Sequence, residues 1–327
     1  MIGMAKWLLL GVGVLALGIG ALALYLVRPL PHRPRPAELH CYDSSAGHFV
    51  ALEEPVQAFG IGLSYAAHIE ETASSFDPDA TPPVFVKHVR ATARSESVLH
   101  FPTSEELIAE AEAFEPGIEA SLRDAHPDLD PLLDYEVELG IVLLEDIDPA
   151  ALDDPDFAPP LGFFIANDVS ARALALLGEG RDDRHAYWGI SKSLAGFMPI
   201  TDQAFVPDAP HPAGVPCTML ETRVNGELRQ YQTTEDLVYT PKAMLGFVHE
   251  TFPEAPLTKG TVILTGTPGG VVIATPRWLV RLGELIGLDR HAKLAAKQRA
   301  RDEFLRPGDV VVVRGEGLGE ITTTVGD

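Results

Sequence analysis

The chain has 327 residues, with 25 basic and 47 acidic side chains and a formal net charge of −22. This length is sufficient for one large domain or two small ones. The acidic excess argues against nucleic acid as a partner, because neutralising phosphates requires basic patches. The two cysteines, Cys41 and Cys217, are too few and too far apart for a disulfide framework or a zinc site. We therefore expect free thiols in a reducing compartment.

The N-terminus carries an apolar run, residues 7–27, that contains no charged side chain. Its length is that of a helix crossing a hydrocarbon core of about 30 Å. A secretory signal peptide is the competing interpretation, but its apolar region is normally shorter, about 7–15 residues, and ends in a cleavage site. We predict a transmembrane anchor over residues 1–27 and a linker and entry segment over residues 28–54. Basic residues after the run favour a single-pass membrane protein whose catalytic domain is cytoplasmic.

Beyond about residue 55, short apolar runs alternate with turns rich in Gly, Pro and Asp. This pattern predicts a strand-rich α+β domain over residues 55–327. The pair Asn225-Gly226 predicts a two-residue hairpin turn. A helix is predicted to begin at the capping residue Thr103 and to run to about Arg123.

Residues 276–303 are rich in arginine and lysine, and their apolar residues recur at helical spacing. A basic amphipathic helix in this segment could lie on a bilayer surface. The alternative, which we favour, is a helix packed on its own domain or on a partner subunit.

Two glutamates, Glu136 and Glu138, lie two residues apart in an apolar run that predicts a strand. Side chains alternate across a strand, so both carboxylates fall on one face. Burying adjacent carboxylates is costly unless a cation lies between them, and a divalent cation with oxygen ligands meets that need. Asp168, at the end of a second apolar run, is the predicted third ligand. The alternative is two exposed strand glutamates and a capping aspartate.

Five further motifs occur in one order along the chain. They are Phe163–Arg172, Lys192–Pro199, Val224–Gln230, Leu264–Gly270 and Phe304–Asp309. Together with the carboxylates they resemble the fumarylacetoacetate hydrolase family, over roughly residues 57–325. The resemblance implies that family's mixed β-sandwich roll, usually a homodimer.

The resemblance also implies a metal, Mg²⁺ or Mn²⁺ with Ca²⁺ in some members, held by Glu136, Glu138 and Asp168. It implies a 2-oxo acid or its enol as the small-molecule substrate, since a 2-oxo carboxylate chelates a hard cation through two oxygens. We predict a membrane-tethered, metal-dependent hydrolase that cleaves a C–C bond in an acylpyruvate-like 2-oxo acid. An isomerase or decarboxylase of a 2-oxo diacid is a close alternative, and a non-catalytic membrane scaffold is the rival.

The catalytic candidates lie on both sides of the carboxylates in the chain, with His68 and Glu71 before them and Lys192 after them. By the resemblance, His68 and Glu71 activate water, and Lys192 stabilises the developing negative charge. Because His68 and Glu71 are three residues apart, they are neighbours on a helical turn, where the carboxylate can orient the imidazole.

Three further residues match substrate-binding positions of the family. Arg172 is a candidate clamp for a substrate carboxylate, with a salt bridge inside the acidic fold as an equal alternative. Thr267 lies in a loop that contacts the substrate carboxylate in the family. Lys87 matches a family lysine whose role is less certain.

The sequence departs from the family pattern in several places. Ser64 replaces an asparagine, and Ala175 replaces a glutamine that normally contacts the substrate region. The segments near residues 90–130 and 276–303 are longer than in compact members of the family. These departures leave the identity of the substrate open.

Overall fold

A computed structural model describes residues 25, 33–43, 45–71, 77, 79–272, 282–283, 285 and 287–327. The strands are β1 (His40–Tyr42), β2 (Gly47–Ala51), β3 (Gln57–Ile61), β4 (Val84–Lys87), β5 (Thr92–Ala93), β6 (Ser97–Leu99), β7 (Leu133–Asp134), β8 (Val137–Leu143), β9 (Leu161–Asn167), β10 (Ser170–Ala171), β11 (Met198–Pro199), β12 (Gln203–Pro207), β13 (Gly214–Pro216), β14 (Met219–Val224), β15 (Glu227–Thr233), β16 (Thr261–Leu264), β17 (Val310–Gly315) and β18 (Gly319–Val325). The α-helices are α1 (Ala66–Glu71), α2 (Ser104–Phe114), α3 (Glu119–Ala125), α4 (Arg172–Leu177), α5 (Arg184–Ser191), α6 (Pro241–Thr251) and α7 (Arg290–Gln298). Short 3₁₀ helices cover Val89–Ala91, Pro149–Asp153, Thr234–Asp236 and Arg301–Glu303.

A mixed sheet of seven strands forms the centre of the described fold, in the order β2-β12-β9-β8-β16-β3-β4. Every residue of β8 and of β9 is buried. These two strands pair antiparallel, with Val137 opposite Asn167. Strands that are covered on both faces need nearly continuous apolar sequence. The two apolar runs of the sequence therefore become neighbouring central strands, and their polar ends meet.

A second sheet has five strands, in the order β15-β14-β17-β18-β6. Its hairpin β14–β15 turns at Asn225 and Gly226, whose φ angles are 51° and 81°. Positive φ at both central residues matches the right-handed twist of the flanking strands. The predicted hairpin is therefore present, and the prediction of a strand-rich α+β fold is confirmed.

The predicted helix from Thr103 to about Arg123 is two helices, α2 and α3. Its start agrees with the prediction, because the Thr103 hydroxyl and the Glu106 carboxylate form a reciprocal capping box. The break follows Phe114, where Pro116 lacks an N–H and Gly117 has a φ of +94°.

The described part of the basic segment packs on the domain itself. Arg290 at the start of α7 donates to Glu115 at 2.7 Å, and Lys293 lies 3.0 Å from Glu179. Leu294 of the same helix is fully buried. This packing agrees with the interpretation that we favoured over a bilayer-surface helix.

The predicted membrane localisation is corrected by the structure. Within the described ranges, no helix is both long enough and apolar enough to cross a bilayer. The localisation as a single-pass membrane protein with a cytoplasmic catalytic domain is contradicted and is not retained. The predicted anchor, residues 7–27, lies outside the described residues except for Tyr25. An apolar run of sufficient length is necessary for a spanning helix, but it does not by itself establish one.

The expectation of free thiols is also wrong, because Cys41 and Cys217 form a disulfide. Strand β1 pairs parallel with β13, and this pairing brings the two Cα atoms to 5.1 Å although 176 residues separate them in sequence. The segment predicted as a linker and entry thus contributes β1 and β2 to the sheets.

Candidate metal centre

The three predicted ligands meet at one end of the β8–β9 pair. Glu136 directly precedes β8, Glu138 lies within it, and Asp168 directly follows β9. The Asp168 N–H donates to the Glu136 carbonyl oxygen at 2.8 Å, which continues the ladder beyond the strands. All three side chains are buried, and a carboxylate oxygen from each lies within 4.8 Å of the others. The alternative of exposed strand glutamates is therefore wrong.

Two lysines neutralise part of this cluster. The Lys192 ammonium contacts Glu136 and lies 2.5 Å from Asp168 Oδ2. Lys87, whose side chain is fully buried, lies 2.5 Å from Asp168 Oδ1 and donates to the Phe197 carbonyl at 3.1 Å. The structure thus brings both predicted lysines to the carboxylates. Burial lowers the pKa of Lys87 despite the Asp168 charge.

Arg172 lies in the same cluster, but its described contacts are carboxylates of this chain. Its Nε donates to Asp134 Oδ2 at 3.0 Å, and its guanidinium also contacts Glu136. These contacts are the salt bridge that we gave as the alternative role of Arg172. Binding of a substrate carboxylate by Arg172 stays a prediction. Burial opposes ionisation of Glu136, but the charges of Arg172 and Lys192 outweigh it and hold the pKa of Glu136 at about 2.

Asp134 is a site residue that we did not predict. It is fully buried, and besides Arg172 it accepts hydrogen bonds from the N–H groups of Tyr135 and Val272, at 3.0 and 3.2 Å. The sequence does carry a signal for this residue. Acidic residues occupy every second position at Asp134, Glu136 and Glu138, which is the spacing that puts side chains on one face of a strand.

Glu138 differs from the other carboxylates of the cluster. Among the described residues, its one hydrogen bond comes from the Gly266 N–H at 2.7 Å, and it has no ion pair within 4.0 Å. Burial, and then the neighbouring Asp168 charge, raise the pKa of Glu138 well above its usual value. A buried carboxylate in this state is destabilising unless a cation compensates it.

The donor set therefore fits a divalent cation. Three buried carboxylates supply oxygen ligands, which Mg²⁺, Mn²⁺ and Ca²⁺ prefer. Lys87, Lys192 and Arg172 pair with Asp134, Glu136 and Asp168 of this buried acidic group. Glu138 is the carboxylate of the group that has no ion pair among the described residues. Glu136, Glu138 and Asp168 are the residues that would hold the metal.

The predicted base lies on α1, beside the loop that follows β16. His68 Nδ1 is 3.7 Å from Glu71 Oε2, and the same carboxylate oxygen accepts from the Gly270 N–H at 2.9 Å. Burial favours a higher pKa for Glu71, but His68 and the Gly270 N–H outweigh it, so the pKa of Glu71 lies below its usual value. The positive form of His68 also helps to lower the pKa of Glu136, which places the imidazole within electrostatic reach of the carboxylate cluster.

The loop after β16 runs alongside β8 toward the carboxylates. Thr265 donates to the Leu139 carbonyl through both its N–H and its hydroxyl, at 3.0 and 2.9 Å. The Thr267 hydroxyl donates to the Val137 carbonyl at 3.3 Å. Its proton is thus directed at this chain's own backbone, so a contact from Thr267 to substrate stays a prediction.

Comparison with known proteins identifies the family. The family model described as fumarylacetoacetate (FAA) hydrolase C-terminal matches residues 57–326. This chain belongs to the fumarylacetoacetate hydrolase family. The match confirms the resemblance that the motifs indicated, and members of the family act as hydrolases, isomerases or oxaloacetate tautomerases.

Two relatives are oxaloacetate tautomerases. YisK of Bacillus subtilis is 28% identical over 234 residues, which cover 70% of this chain and 64% of that protein. The mitochondrial FAHD2A of Homo sapiens is 31% identical over 156 residues, covering 46% of this chain and 45% of that protein. The matched region thus spans less than two thirds of the length of either relative.

Solved structures share the fold. Fumarylacetoacetate hydrolase from Exiguobacterium antarcticum aligns with a TM-score of 0.52 and 26% identity, over 84% of this chain and 77% of that chain. Fumarylpyruvate hydrolase from Pseudomonas aeruginosa, solved with Mn²⁺ and pyruvate, aligns with a TM-score of 0.52 and 19% identity, over 91% and 98% of the two chains.

Proposed function

We propose that this protein is a divalent-metal-dependent enzyme that acts on a 2-oxo acid or its enol. The observation that carries the proposal is the buried group of Glu136, Glu138 and Asp168, whose carboxylate oxygens lie within 4.8 Å of one another and in which Glu138 has no ion pair among the described residues. A 2-oxo acid offers two adjacent oxygens to such a centre. Mg²⁺ or Mn²⁺, when bound, would supply Lewis-acid stabilisation of negative charge on the 2-oxo group.

The first candidate reaction is hydrolysis of an acylpyruvate. His68 removes a proton from water, and the hydroxide oxygen bonds to the distal carbonyl carbon. The bond between that carbon and the methylene carbon then breaks, and its electron pair remains on the pyruvate fragment as an enolate. A proton returns to the methylene carbon, so the products are a carboxylic acid and pyruvate.

The other residues of the site support these steps. The carboxylate of Glu71, 3.7 Å from His68 Nδ1, orients the imidazole and stabilises its cation. Lys192, held between Glu136 and Asp168, stabilises the enolate charge. We assign Lys87 to charge balance at Asp168. Arg172 and Thr267 contact Glu136 and the Val137 carbonyl, and the substrate contacts expected of them stay predictions.

The second candidate is isomerisation, in particular keto–enol tautomerisation of a 2-oxo diacid. The similarity to YisK over 70% of this chain supports it. Tautomerisation moves one proton between carbon and oxygen and requires no attacking water. Ala175, in place of a glutamine expected from the family pattern, leaves the two reactions equally open.

Two measurements test the proposal. Calorimetric titration of the metal-stripped protein with Mn²⁺, and then with oxalate as a mimic of the enolate, should show metal binding that oxalate strengthens. Turnover assays then separate the two reactions. Hydrolysis of acylpyruvates is measured by the release of pyruvate, and tautomerisation of oxaloacetate is measured by the loss of enol absorbance. Absence of Mn²⁺ binding would refute the enzyme proposal in favour of a non-catalytic scaffold. The predicted homodimer stays a prediction that light scattering can test.

A further inference from the structure

The side chain of Gln230 is completely satisfied by hydrogen bonds in the described structure. Its Oε1 accepts from the Val137 N–H at 3.0 Å and from the Thr222 hydroxyl at 2.8 Å. Its Nε2 donates to the Thr267 hydroxyl at 2.9 Å and to the Pro268 carbonyl at 3.1 Å. The residue is 1% exposed. A primary amide has two donors and two acceptor positions, and here each has a partner.

A β-bulge turns this side chain inward. In the β14–β15 hairpin, Arg223 pairs with Leu228 but Thr222 pairs with Gln230, so Arg229 is the extra residue. The residues of β15 before Gln230 are exposed, whereas Gln230 is buried. Bulges commonly redirect a side chain beside an active site. Through this bulge the five-stranded sheet places the Gln230 amide at the end of the seven-stranded sheet where the carboxylates lie.

The group that Gln230 holds is the peptide backbone between two predicted metal ligands. Val137 separates Glu136 from Glu138. Its N–H donates to Gln230, and its carbonyl accepts from Thr267, which in turn accepts from Gln230. Gln230 and Thr267 therefore form a closed clamp on Val137, and this clamp limits rotation of the backbone that directs both glutamates.

The same amide fixes the loop that reaches the predicted base. Gly270, with a φ of +98°, packs so closely on this hairpin that a Cβ would lie 2.5 Å from the Arg229 carbonyl oxygen. The Gly270 N–H donates to Glu71, the partner of His68. The Gln230 side chain thus connects strand β8, the Thr267 loop and the His68–Glu71 pair.

We propose that Gln230 is a positioning residue that sets the relative placement of the metal ligands, the Thr267 loop and the His68–Glu71 pair. The inference rests on the proposed function, because it concerns the same site. Among the described residues, Gln230 forms no hydrogen bond with a predicted ligand carboxylate or with the imidazole, and it acts through Val137, Thr267 and Gly270.

The test compares Gln230→Met with Gln232→Met, which makes the same change two residues further along β15, on the same face. Four properties are measured: thermal unfolding, hydrogen exchange of the metal-free protein, Mn²⁺ affinity, and oxalate affinity of the Mn²⁺-loaded protein. We expect Gln230→Met to accelerate exchange in peptides covering residues 137 and 264–272 and to weaken oxalate binding about tenfold. Gln232→Met should change neither.

A second variant, Thr267→Val, tests the clamp directly. If the two residues act as one unit, the double variant should bind oxalate no more weakly than Gln230→Met alone. Additive losses would overturn the clamp. A Gln230→Met protein with a lower melting temperature but unchanged exchange in 264–272 and unchanged oxalate affinity would show a merely structural role. If the unmutated protein binds no Mn²⁺, the proposed function fails, and exchange in 264–272 alone then decides the role of Gln230.

Discussion

The ammonium nitrogen of Lys192 lies 2.5 Å from Asp168 Oδ2, and it also contacts Glu136. A single cation thus joins two of the three predicted metal ligands, whereas Glu138 has no such partner within the described residues. This asymmetry allows the acidic cluster to be buried in the core while Glu138 remains available to a further cation, as the proposed function requires.

Glu138→Gln tests the assignment of the metal. The variant removes the negative charge but keeps an oxygen that can accept the Gly266 N–H. We expect Mn²⁺ affinity to fall about 100-fold or more, with loss of turnover, because one of three charged ligands is gone. The melting temperature of the metal-free protein should not fall, since Glu138 is uncompensated there. Titration calorimetry and thermal unfolding measure both effects, with exposed Glu145→Gln as control. Unchanged Mn²⁺ affinity would remove Glu138 from the ligand set.

Lys192→Met tests the charge balance. Removing the ammonium leaves Glu136 and Asp168 less compensated, so the metal-free protein should lose about 3 kcal/mol of stability. Bound Mn²⁺ should recover much of that loss, because a ligand that binds the folded state stabilises it. The Mn²⁺-induced rise in melting temperature should therefore be larger in the variant than in the unmutated protein. Lys259→Met, at an exposed site, is the control. An equal rise in both proteins would contradict this account.

His68→Ala tests the proposed base. We expect kcat to fall about 100-fold or more while Mn²⁺ affinity stays the same, since His68 is not among the three ligands. Glu71→Gln should cost less, about tenfold, because the imidazole remains but loses its oriented partner. Steady-state kinetics on whichever 2-oxo acid the protein turns over measures both variants. The exposed His48→Ala serves as control. A His68→Ala enzyme with full activity would refute the base.

The capping box of α2 provides a pH test of stability. The Thr103 N–H and the His100 side chain lower the pKa of Glu106 from its usual 4.5 to about 2. Because the folded pKa is depressed, this stabilisation is present above pH 4.5 and is lost as the pH falls toward 2. Glu106→Gln keeps an oxygen for the capping box but removes the charge, which solvent screens because Glu106 is half-exposed, so it should lower the free energy of unfolding by about 0.5 kcal/mol at neutral pH. The difference should shrink in acid, and denaturant titrations at several pH values measure it. A difference that does not depend on pH would contradict the ionic contribution.

The disulfide predicts a redox-dependent stability. Reducing the Cys41–Cys217 bond releases a constraint on a long segment of the unfolded chain, so stability should fall by about 2–4 kcal/mol. Thermal unfolding with and without a dithiol reductant measures the change. Cys41→Ser should unfold at the same temperature under both conditions, which controls for other effects of the reductant. Free thiols in the isolated protein, detected by mass spectrometry after alkylation, would contradict the pairing.

The sequence by itself determined the local features of this protein. The alternation Glu136-Val-Glu138 put both carboxylates on one face, since side chains of a strand alternate. Two apolar runs predicted the strands that carry the predicted ligands. Asn225-Gly226 predicted the β14–β15 hairpin, and Thr103 predicted the N-cap of α2. Each signal depends on residues a few positions apart, whose geometry the backbone period fixes.

The tertiary structure decided everything that depends on chain path and register. Cys41 meets Cys217 because β1 lies along β13, and Arg172 turns to Asp134 because β7 pairs with β10. Gln230 enters the site because a bulge shifts one strand by one residue. A shift of one residue reverses which face a side chain occupies, so no pattern within the strand alone reveals it. The grouping of the three carboxylates was therefore predictable from sequence, whereas the pairing of Arg172 with Asp134 and the inward placement of Gln230 were not.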